Sequence, residues 1–328
     1  MQSVDLETLV PVPTWITNCG TGFGLAACPS LGLLVTSSGD MLSVFKLPSR
    51  MPSKMPSRMI RARAAGAGLA LVCNLGGDSS PAPMQFKFRE ISGYMTFTGT
   101  APSRFLLVTD DGHKAVHVID VVRKVHVGFV AGPGFIGAPR GVAAKGSLVA
   151  VSAWKDARTD GSNWAIYVFQ GSGTRWTMLR EISGGRGVPF YPSVRGLRFT
   201  ADGCGLVVAD TSNARLSMFR VEDGSYVRHV AINVNGPFDV EECGDGWLVA
   251  CCGSVSARHT MWLVDGEGKC SPKLGTYHWH GNEWMFPSYP AALALVPGVG
   301  LVVRDSGKSW PGCDRLQGGR LLFFWAFL

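Results

Sequence analysis

Residues 194–231 read VRGLRFTADGCGLVVADTSNARLSMFRVEDGSYVRHVA. Polar turns separate four strand-like runs in this stretch, at residues 196–199, 206–209, 215–219 and 226–231. The turn dipeptides Asp202-Gly203 and Asp223-Gly224 tolerate a positive φ and are typical of hairpins. Residues 206–209 are uninterruptedly apolar, as expected of a strand buried on both faces. Four antiparallel strands of decreasing burial predict one blade of a β-propeller.

The same pattern recurs five more times along the chain. Each unit has two or three aliphatic residues, a small or acidic residue, a polar turn and then an alternating strand. The small or acidic anchors of the six units are Ser37, Asp110, Ser152, Asp210, Cys252 and Asp305. The intervals between them are 73, 42, 58, 42 and 53 residues, and the shortest matches a four-stranded blade. The sequence therefore predicts an all-β fold, a six-bladed β-propeller of four-stranded antiparallel blades that forms a single domain over residues 1–328.

The two ends of the chain are predicted to meet in the last blade. The sixth unit stops at its third strand, near residues 321–324, because the sequence ends at Leu328. The exposed edge of that blade must be covered. Residues 6–11 form a spare strand-like run ahead of the first unit, so we predict that this N-terminal strand completes the last blade and closes the ring.

The fourth unit carries a family resemblance. Residues 207–219, VVADTSNARLSMF, resemble the YVADTxNxRIxVF signature of NHL repeats, and residues 107–110 with 116–119 are similar. The resemblance extends over all six units, although Ser37, Ser152 and Cys252 stand where the NHL pattern has Asp. It implies a propeller of the kind that mostly serves as a binding platform, often attached to RING and coiled-coil segments for ubiquitin ligation. This sequence contains neither segment, so substrate recognition of that kind would need ubiquitin-ligase partners.

The positive charge is concentrated in one segment. The formal net charge is +7, and no acidic residue lies between Asp40 and Asp78. The six basic residues of this segment are Lys46, Arg50, Lys54, Arg58, Arg61 and Arg63. Within it the tetrapeptides PSRM, PSKM and PSRM follow one another, and a proline at every fourth position excludes both helix and ladder pairing. We predict that residues 48–63 form an exposed basic low-complexity loop, inserted after the first blade's third strand. Any nucleic-acid binding through residues 46–63 should be weak and salt-sensitive.

Targeting signals and cysteine spacing bear on the compartment. The first seven residues lack a basic region followed by an apolar one, and the uncharged window 285–303 is broken by prolines and glycines. The nine cysteines are irregularly spaced and match neither a disulfide framework nor a zinc set. We therefore expect no membrane span, free buried thiols, and an intracellular, cytoplasmic monomer.

The channel mouth is the first candidate binding site. The residues immediately before each predicted inner strand should converge where the six inner strands meet. These residues are Phe23, Met84, Arg140, Arg195, Phe238 and Ala291. Two arginines among apolar neighbours favour an acidic or carboxylate-bearing partner, because a guanidinium binds a carboxylate through paired hydrogen bonds. We predict that Phe23, Arg140, Arg195, Phe238 and Asp239 contact this partner and that no cofactor is needed.

Histidines provide a second candidate. In His278-Trp279-His280 a strand would place both imidazoles on one side, about 6–7 Å apart. That spacing suits a metal, but no third ligand is identifiable, so we predict no metal and an aromatic loop that adds to the binding surface. The remaining histidines are scattered and predicted to have no catalytic role: His113, His117, His126, His229 and His259.

The positions of the acidic residues bear on whether this chain is an enzyme. Asp239 and the pair Glu241-Glu242 lie on or beside the first strand of the fifth unit, where one of them can face the channel. Paired carboxylates perturb each other's pKa. Metal-dependent propeller lactonases, however, need several acids converging from different blades, and the predicted mouth has none. Asp110, Asp210 and Asp305 are better explained as caps of the turns that follow their strands.

Together these features predict a non-enzymatic protein- or peptide-binding scaffold that uses one face and the channel mouth. A metal-dependent propeller enzyme, lactonase- or lyase-like, is the first alternative, and an RNA-binding propeller is the second.

Overall fold

The computed structural model describes residues 10–12, 22–47, 69–77, 87–91, 93–99, 104–155, 164–183, 193–252, 260–274, 289–306 and 320–325. Within these residues the chain forms β-strands and two three-residue 3-10 turns, at Pro29–Leu31 and Thr211–Asn213. No helix in the described part of the chain is long and apolar enough to cross a membrane.

The strands follow one another blade by blade. The first strand, β1 (Val10–Val12), belongs to the last blade. Blade 1 contains β2 (Leu25–Cys28), β3 (Leu33–Ser38), β4 (Met41–Lys46) and β5 (Leu71–Gly76). Blade 2 contains β6 (Met95–Phe97), β7 (Phe105–Asp110), β8 (Ala115–Asp120) and β9 (Val125–Ala131). Blade 3 contains β10 (Ala138–Lys145), β11 (Leu148–Trp154), β12 (Trp164–Ser172) and β13 (Arg175–Ser183).

The second half of the chain repeats this order. Blade 4 contains β14 (Val194–Phe199), β15 (Gly205–Asp210), β16 (Arg215–Arg220) and β17 (Tyr226–Ile232). Blade 5 contains β18 (Pro237–Cys243), β19 (Gly246–Cys251), β20 (Thr260–Val264) and β21 (Cys270–Leu274). Blade 6 contains β22 (Pro290–Val296), β23 (Gly300–Asp305) and β24 (Arg320–Trp325).

Each blade is a four-stranded antiparallel sheet, and the inner strands of neighbouring blades contact one another around the ring. In blade 6 the fourth strand is β1, whose Val10 and Val12 pair with Trp325 and Phe323 of β24. The six-bladed propeller and its closure by the N-terminal strand are therefore confirmed. Of the predicted closing run, residues 6–9 lie outside the described residues.

Burial decreases from the channel outward, as the apolar runs predicted. In blade 4 the second strand, β15, is buried at every position, while Val227 on the outermost strand is 45% exposed. The faces of adjacent blades pack against each other through clusters of such buried aliphatic residues. Because each inner pair of strands is covered on both sides, the ring holds the inner edges of the six blades in fixed positions.

The sequence pattern predicts the first strand of blade 2 at residues 84–88, and this prediction was wrong. The run 84–88 has an alternating pattern, yet the inner strand is β6, which begins eleven residues later at Met95. The Asp110 carboxylate accepts hydrogen bonds from the backbone N–H groups of Arg89 and Glu90, at 2.8 and 3.0 Å. These bonds hold the chain beside blade 2 instead of within its ladder, and Phe88 is buried there as a packing residue.

Cysteine placement agrees with the predicted buried thiols only in part, since Cys204 is exposed and Cys73 and Cys270 are half-buried. No disulfide joins any of the seven cysteines in the described residues. Four of them are buried: Cys28, Cys243, Cys251 and Cys252. Burial raises the pKa of the Cys251 thiol above its ordinary value, so the thiol stays protonated at neutral pH.

The basic segment 48–63 lies outside the described residues, but the strands on either side of it are defined. It connects β4 to β5, the third and fourth strands of blade 1. The Lys46 N–H donates a 2.9 Å hydrogen bond to the Ala70 carbonyl, so the two ends of the connection are adjacent.

We expect the segment to be dispensable for folding. Replacing residues 48–68 by a short Gly-Ser turn between Leu47 and Leu69 should change the free energy of unfolding by less than about 0.5 kcal/mol, because the ladder that joins β4 to β5 is kept. Denaturant unfolding of the excised variant and the full chain measures this difference. A loss of several kcal/mol would show that the segment packs against the propeller.

Candidate functional site: the channel mouth

The six inner strands lie side by side around the channel, and residues at or near their N-terminal ends form the channel mouth. In blades 1 and 2 the inner strands begin at Leu25, which pairs with Thr36, and at Met95, which pairs with Val108. We define the mouth residues as those near these N-terminal ends: Phe23, Gly93, Arg140, Arg195, Phe238 and Ala291. Five of these are the residues named from the sequence, and Gly93 takes the place of Met84 because β6 begins at Met95.

Backbone contacts between neighbouring blades fix the position of the mouth. The Tyr94 N–H of blade 2 donates a 2.8 Å hydrogen bond to the Arg140 carbonyl of blade 3. The Ser152 hydroxyl of blade 3 donates to the Arg195 carbonyl of blade 4 at 3.1 Å. At Gly141 a Cβ atom would lie 1.9 Å from this same carbonyl oxygen, so only glycine permits the approach. The mouth side chains therefore project from a backbone that is rigidly placed.

Arg195 lies within an aromatic cluster at the mouth. Its guanidinium carbon is 4.1 Å from the centre of the Phe238 ring and 6.0 Å from that of Phe23. Tyr289 completes the cluster, with its ring 5.5 Å from Phe238. The Arg195 Nε donates to the Ser193 hydroxyl at 3.2 Å, and no carboxylate in the described part of the chain pairs with this guanidinium. Arg195 is thus a cation held on an aromatic face with its charge available to a ligand.

The second predicted arginine has a different environment. The Arg140 guanidinium forms an ion pair with Asp111 at 2.8 Å, and both side chains are partly exposed. Because this carboxylate already compensates its charge, Arg140 is a weaker candidate for ligand recognition than Arg195.

Tyr94 crosses the channel directly beneath the mouth. It projects from blade 2, and its hydroxyl donates to the carbonyls of Phe238 in blade 5 at 2.6 Å and Ala291 in blade 6 at 3.1 Å. Burial and the nearby Asp239 carboxylate raise the pKa of Tyr94 well above its ordinary value, which keeps the hydroxyl protonated as a donor. Tyr94 is 4% exposed, so its ring is buried within the channel.

Asp239 connects blades 5 and 6 at the same level. Its carboxylate accepts 2.9 Å hydrogen bonds from the backbone N–H groups of Val240 and Leu293. Burial raises the pKa of Asp239 to about 6, against the opposing effects of Arg198 and of these two hydrogen bonds. Both carboxylate oxygens are therefore engaged within the protein, and the role of Asp239 in the structure is to join two blades.

The channel interior below Tyr94 contains a cavity of about 90 Å³. Inner strands of all six blades line it, and an ion pair between Arg198 and Glu241 reaches into it. Small-molecule pockets have volumes of about 300 Å³ or more. This cavity is therefore smaller than the pockets that usually hold organic ligands.

The predicted histidine motif could not be placed. His278, Trp279 and His280 lie outside the described residues, and their contribution to binding stays a prediction.

Comparison with solved structures agrees with the fold. The chain is similar to a luciferin-regenerating enzyme, with a TM-score of 0.60 and 12% identity over 97% of this chain and 96% of that chain. It is also similar to the hydrazine synthase of Kuenenia stuttgartiensis, with a TM-score of 0.50 and 16% identity over 71% of this chain and 62% of that chain. No protein-family model and no curated protein matches the sequence. At these identities the similarity shows a shared propeller fold alone.

Two residues that contact the mouth residues, Tyr94 and Tyr289, were not predicted from the sequence. The number of residues between the mouth residue and the anchor of each unit could have shown that Met84 lies too far from Asp110, and so could have directed attention to the region of Tyr94. That spacing is 12–15 residues in the five other units but 26 for Met84, and Gly93 reduces it to 17. Tyr289 carried no comparable signal, because its role comes from contacts with Phe23 and Phe238 in distant blades.

Proposed function

We propose that the chain is an NHL-type propeller that acts as a non-enzymatic scaffold and binds a protein or peptide at the channel mouth through a carboxylate of that partner. The observation that carries this proposal is Arg195, a guanidinium on the face of Phe238 without an acidic partner in the described residues. The resemblance of residues 207–219 to NHL repeats supports a binding platform of this kind.

The chemistry of the cluster fits a carboxylate ligand. A guanidinium donates two parallel hydrogen bonds to a carboxylate, and a surrounding apolar wall strengthens the interaction by excluding water. Phe23 and Tyr289 are partly exposed, so they offer aromatic surface beside the cation. Aromatic residues and arginine together dominate the binding energy of many protein interfaces.

The metal-dependent enzyme alternative receives little support from the mouth. None of the six mouth residues is a carboxylate, and both oxygens of nearby Asp239 accept backbone hydrogen bonds. A lactonase- or lyase-like site would need several acidic ligands around one point of the axis.

The RNA-binding alternative is separable from peptide binding. The ends of β4 and β5 that residues 48–68 connect lie on the face opposite the mouth, because β4 runs away from the mouth and β5 returns toward it. RNA binding through residues 46–63 would be lost in the excised variant, whereas peptide binding at the mouth would not.

A cytoplasmic location and ubiquitin-ligase partners belong to the scaffold proposal, and affinity capture with mass spectrometry tests them.

Arg195→Gln should weaken binding of carboxylate peptides by about tenfold to a hundredfold, as expected for the loss of a hydrogen bond to a charged group. Random peptides with free C-terminal carboxylates are selected on the purified chain, and each selected peptide is remade with its carboxylates converted to amides. Calorimetric titration then compares both peptide forms on the wild type and on Arg195→Gln. Amidation should weaken binding to the wild type and have little effect on binding to the variant.

Arg220 provides a matched control. It is an exposed arginine paired with Asp223, in a turn on the face opposite the mouth. Arg220→Gln removes the same charge and should leave peptide affinity unchanged, while Arg140→Gln should cause a smaller loss than Arg195→Gln. Selected peptides that bind equally well after amidation, or no selected peptide at all, would contradict the proposal.

A further inference from the structure

Blade 2 brings together an acid and histidines that the sequence leaves apart. Asp110 ends β7, His113 lies in the following turn, and His117 lies on β8. His113 Nδ1 is 2.9 Å and His117 Nε2 is 3.3 Å from the same oxygen, Asp110 Oδ2. The described residues contain one such group of three metal-ligating side chains, and its ligand atoms all lie within 4.8 Å of one another.

Strand register explains why these residues meet. Asp110 pairs with Ala115 across the β7–β8 hairpin, and His117 is two residues further along β8. Residues two apart on a strand share a face, so Asp110 and His117 are diagonal neighbours. The turn between the strands returns His113 to the same carboxylate.

We propose that Asp110 Oδ2, His113 Nδ1 and His117 Nε2 bind a divalent transition-metal ion, of which zinc is the best fit. Imidazole and carboxylate are ordinary zinc ligands, at about 2.0–2.2 Å from the ion. In a tetrahedral site such bonds place neighbouring ligand atoms about 3.3 Å apart. The two distances to Asp110 Oδ2 are close to this value, and all three ligand atoms lie within 4.8 Å of one another, so side-chain rotations can bring the two imidazole nitrogens to the ion.

Asp110 and His117 also have hydrogen-bonding partners that would orient them as metal ligands. Asp110 Oδ2 accepts the Arg89 N–H at 2.8 Å, and Asp110 Oδ1 accepts the N–H groups of Glu90 and His113, both at 3.0 Å. On the far side of the His117 ring, Nδ1 is 3.3 Å from His126 Nε2. A metal-binding histidine usually donates its other ring N–H to such an acceptor, which orients the ring and sets its tautomer.

Burial leaves one side of the site open. Asp110 and His117 are 0% and 1% exposed, while the His113 side chain is 37% exposed. The rings of Phe88 and Phe129 pack against His117, with centroids 5.3 and 5.0 Å away. A metal ion can therefore enter past His113 and keep a fourth position for water or a partner's ligand, an arrangement typical of zinc sites with three protein ligands.

This site is independent of the proposed peptide binding. It lies on the same face of the propeller as the mouth, since Asp111, the next residue after Asp110, pairs with Arg140. None of its ligands belongs to the aromatic cluster around Arg195. Either proposal can therefore fail while the other holds.

Metal titration of the purified full chain tests the inference. After chelator treatment, zinc is added in competition with a chromophoric chelator, and cobalt is added as a spectroscopic substitute. The wild type should bind one equivalent of zinc, show the visible absorption of tetrahedral cobalt, and melt at a higher temperature with zinc than without it. His113→Ala and His117→Ala should each lose all three effects; His113 is partly exposed, so its variant should fold.

Two control variants make the assignment specific. His229→Ala removes a histidine that contacts Ser217 in blade 4, and His278→Ala with His280→Ala removes the motif predicted from the sequence. Both controls should keep stoichiometric zinc and the cobalt spectrum. No stoichiometric zinc in the wild type, or zinc that survives His113→Ala and is lost in the His278/His280 variant, would overturn the proposal.

Discussion

Arg304→Ala should lower the free energy of unfolding by about 2–5 kcal/mol, the range for truncating a large buried side chain to alanine. Arg304 lies on β23, and its side chain is completely buried where blade 6 meets blade 1. Its Nε donates to the Gly22 carbonyl at 3.2 Å, and its Nη2 donates to the Ser37 carbonyl at 3.3 Å. Alanine would leave both carbonyls unpaired and a cavity at the seam that closes the ring. Denaturant unfolding measures the loss.

Two further variants separate the causes. Arg304→Met keeps most of the side-chain volume and removes the buried charge, so its loss should be clearly smaller than that of alanine. Arg220→Ala, at an exposed site, should change stability by less than about 0.5 kcal/mol. Arg304→Ala with a loss no larger than that of Arg220→Ala would show that this contact does not hold the two blades together.

Asp239 should make the stability of the propeller fall as pH rises from about 4 to 7. Burial raises the pKa of Asp239 from 3.8 to about 6 in the folded chain, so the folded state retains a proton that the unfolded state releases. The resulting stabilisation is complete below pH 3.8 and is lost as pH rises through about 6. A shift of about two units corresponds to about 3 kcal/mol.

Asp239→Asn isolates this contribution, because the amide resembles the protonated carboxyl group and does not titrate. The comparison is needed because burial lowers the pKa of His126 to about 4, which has the opposite effect on stability over the same pH range. The stability of the wild type minus that of the variant should fall by about 3 kcal/mol between pH 4 and pH 7.5. A difference that does not vary with pH would contradict the raised pKa.

Much of the fold could be predicted because each blade is formed largely by residues that are close together in the sequence. Its strands, such as those within residues 194–231, are short apolar or alternating runs, and its turns carry residues that tolerate a positive φ. The one strand placed wrongly, β6, has only three residues, and the more regular run 84–88 precedes it. A strand so short leaves little periodicity to recognise.

The candidate sites were predictable only in part. Strand order placed Phe23, Arg195 and Phe238 at the mouth, since residues before equivalent strands occupy equivalent positions in a ring. It could not show that Asp111 takes up the charge of Arg140 while Arg195 packs on Phe238. The sequence gives no sign that the histidines of blade 2 lie together. Their approach to Asp110 depends on which face of the β7–β8 hairpin they occupy and on the conformation of its turn.

The sequence by itself determined that this chain forms strands and groups them into six units, because these properties follow from patterns repeated within about 40–70 residues. It also predicted closure by the first strand, because the sixth unit lacks a fourth strand. The tertiary structure alone decided which side chains meet at the centre. The Tyr94 hydroxyl bonds to a carbonyl 144 residues away, and Asp239 reaches an N–H group 54 residues away in the next blade. Such contacts, and the burial that raises the pKa of Asp239, exist only when ring closure brings the inner edges of distant blades together, and no local pattern encodes that proximity.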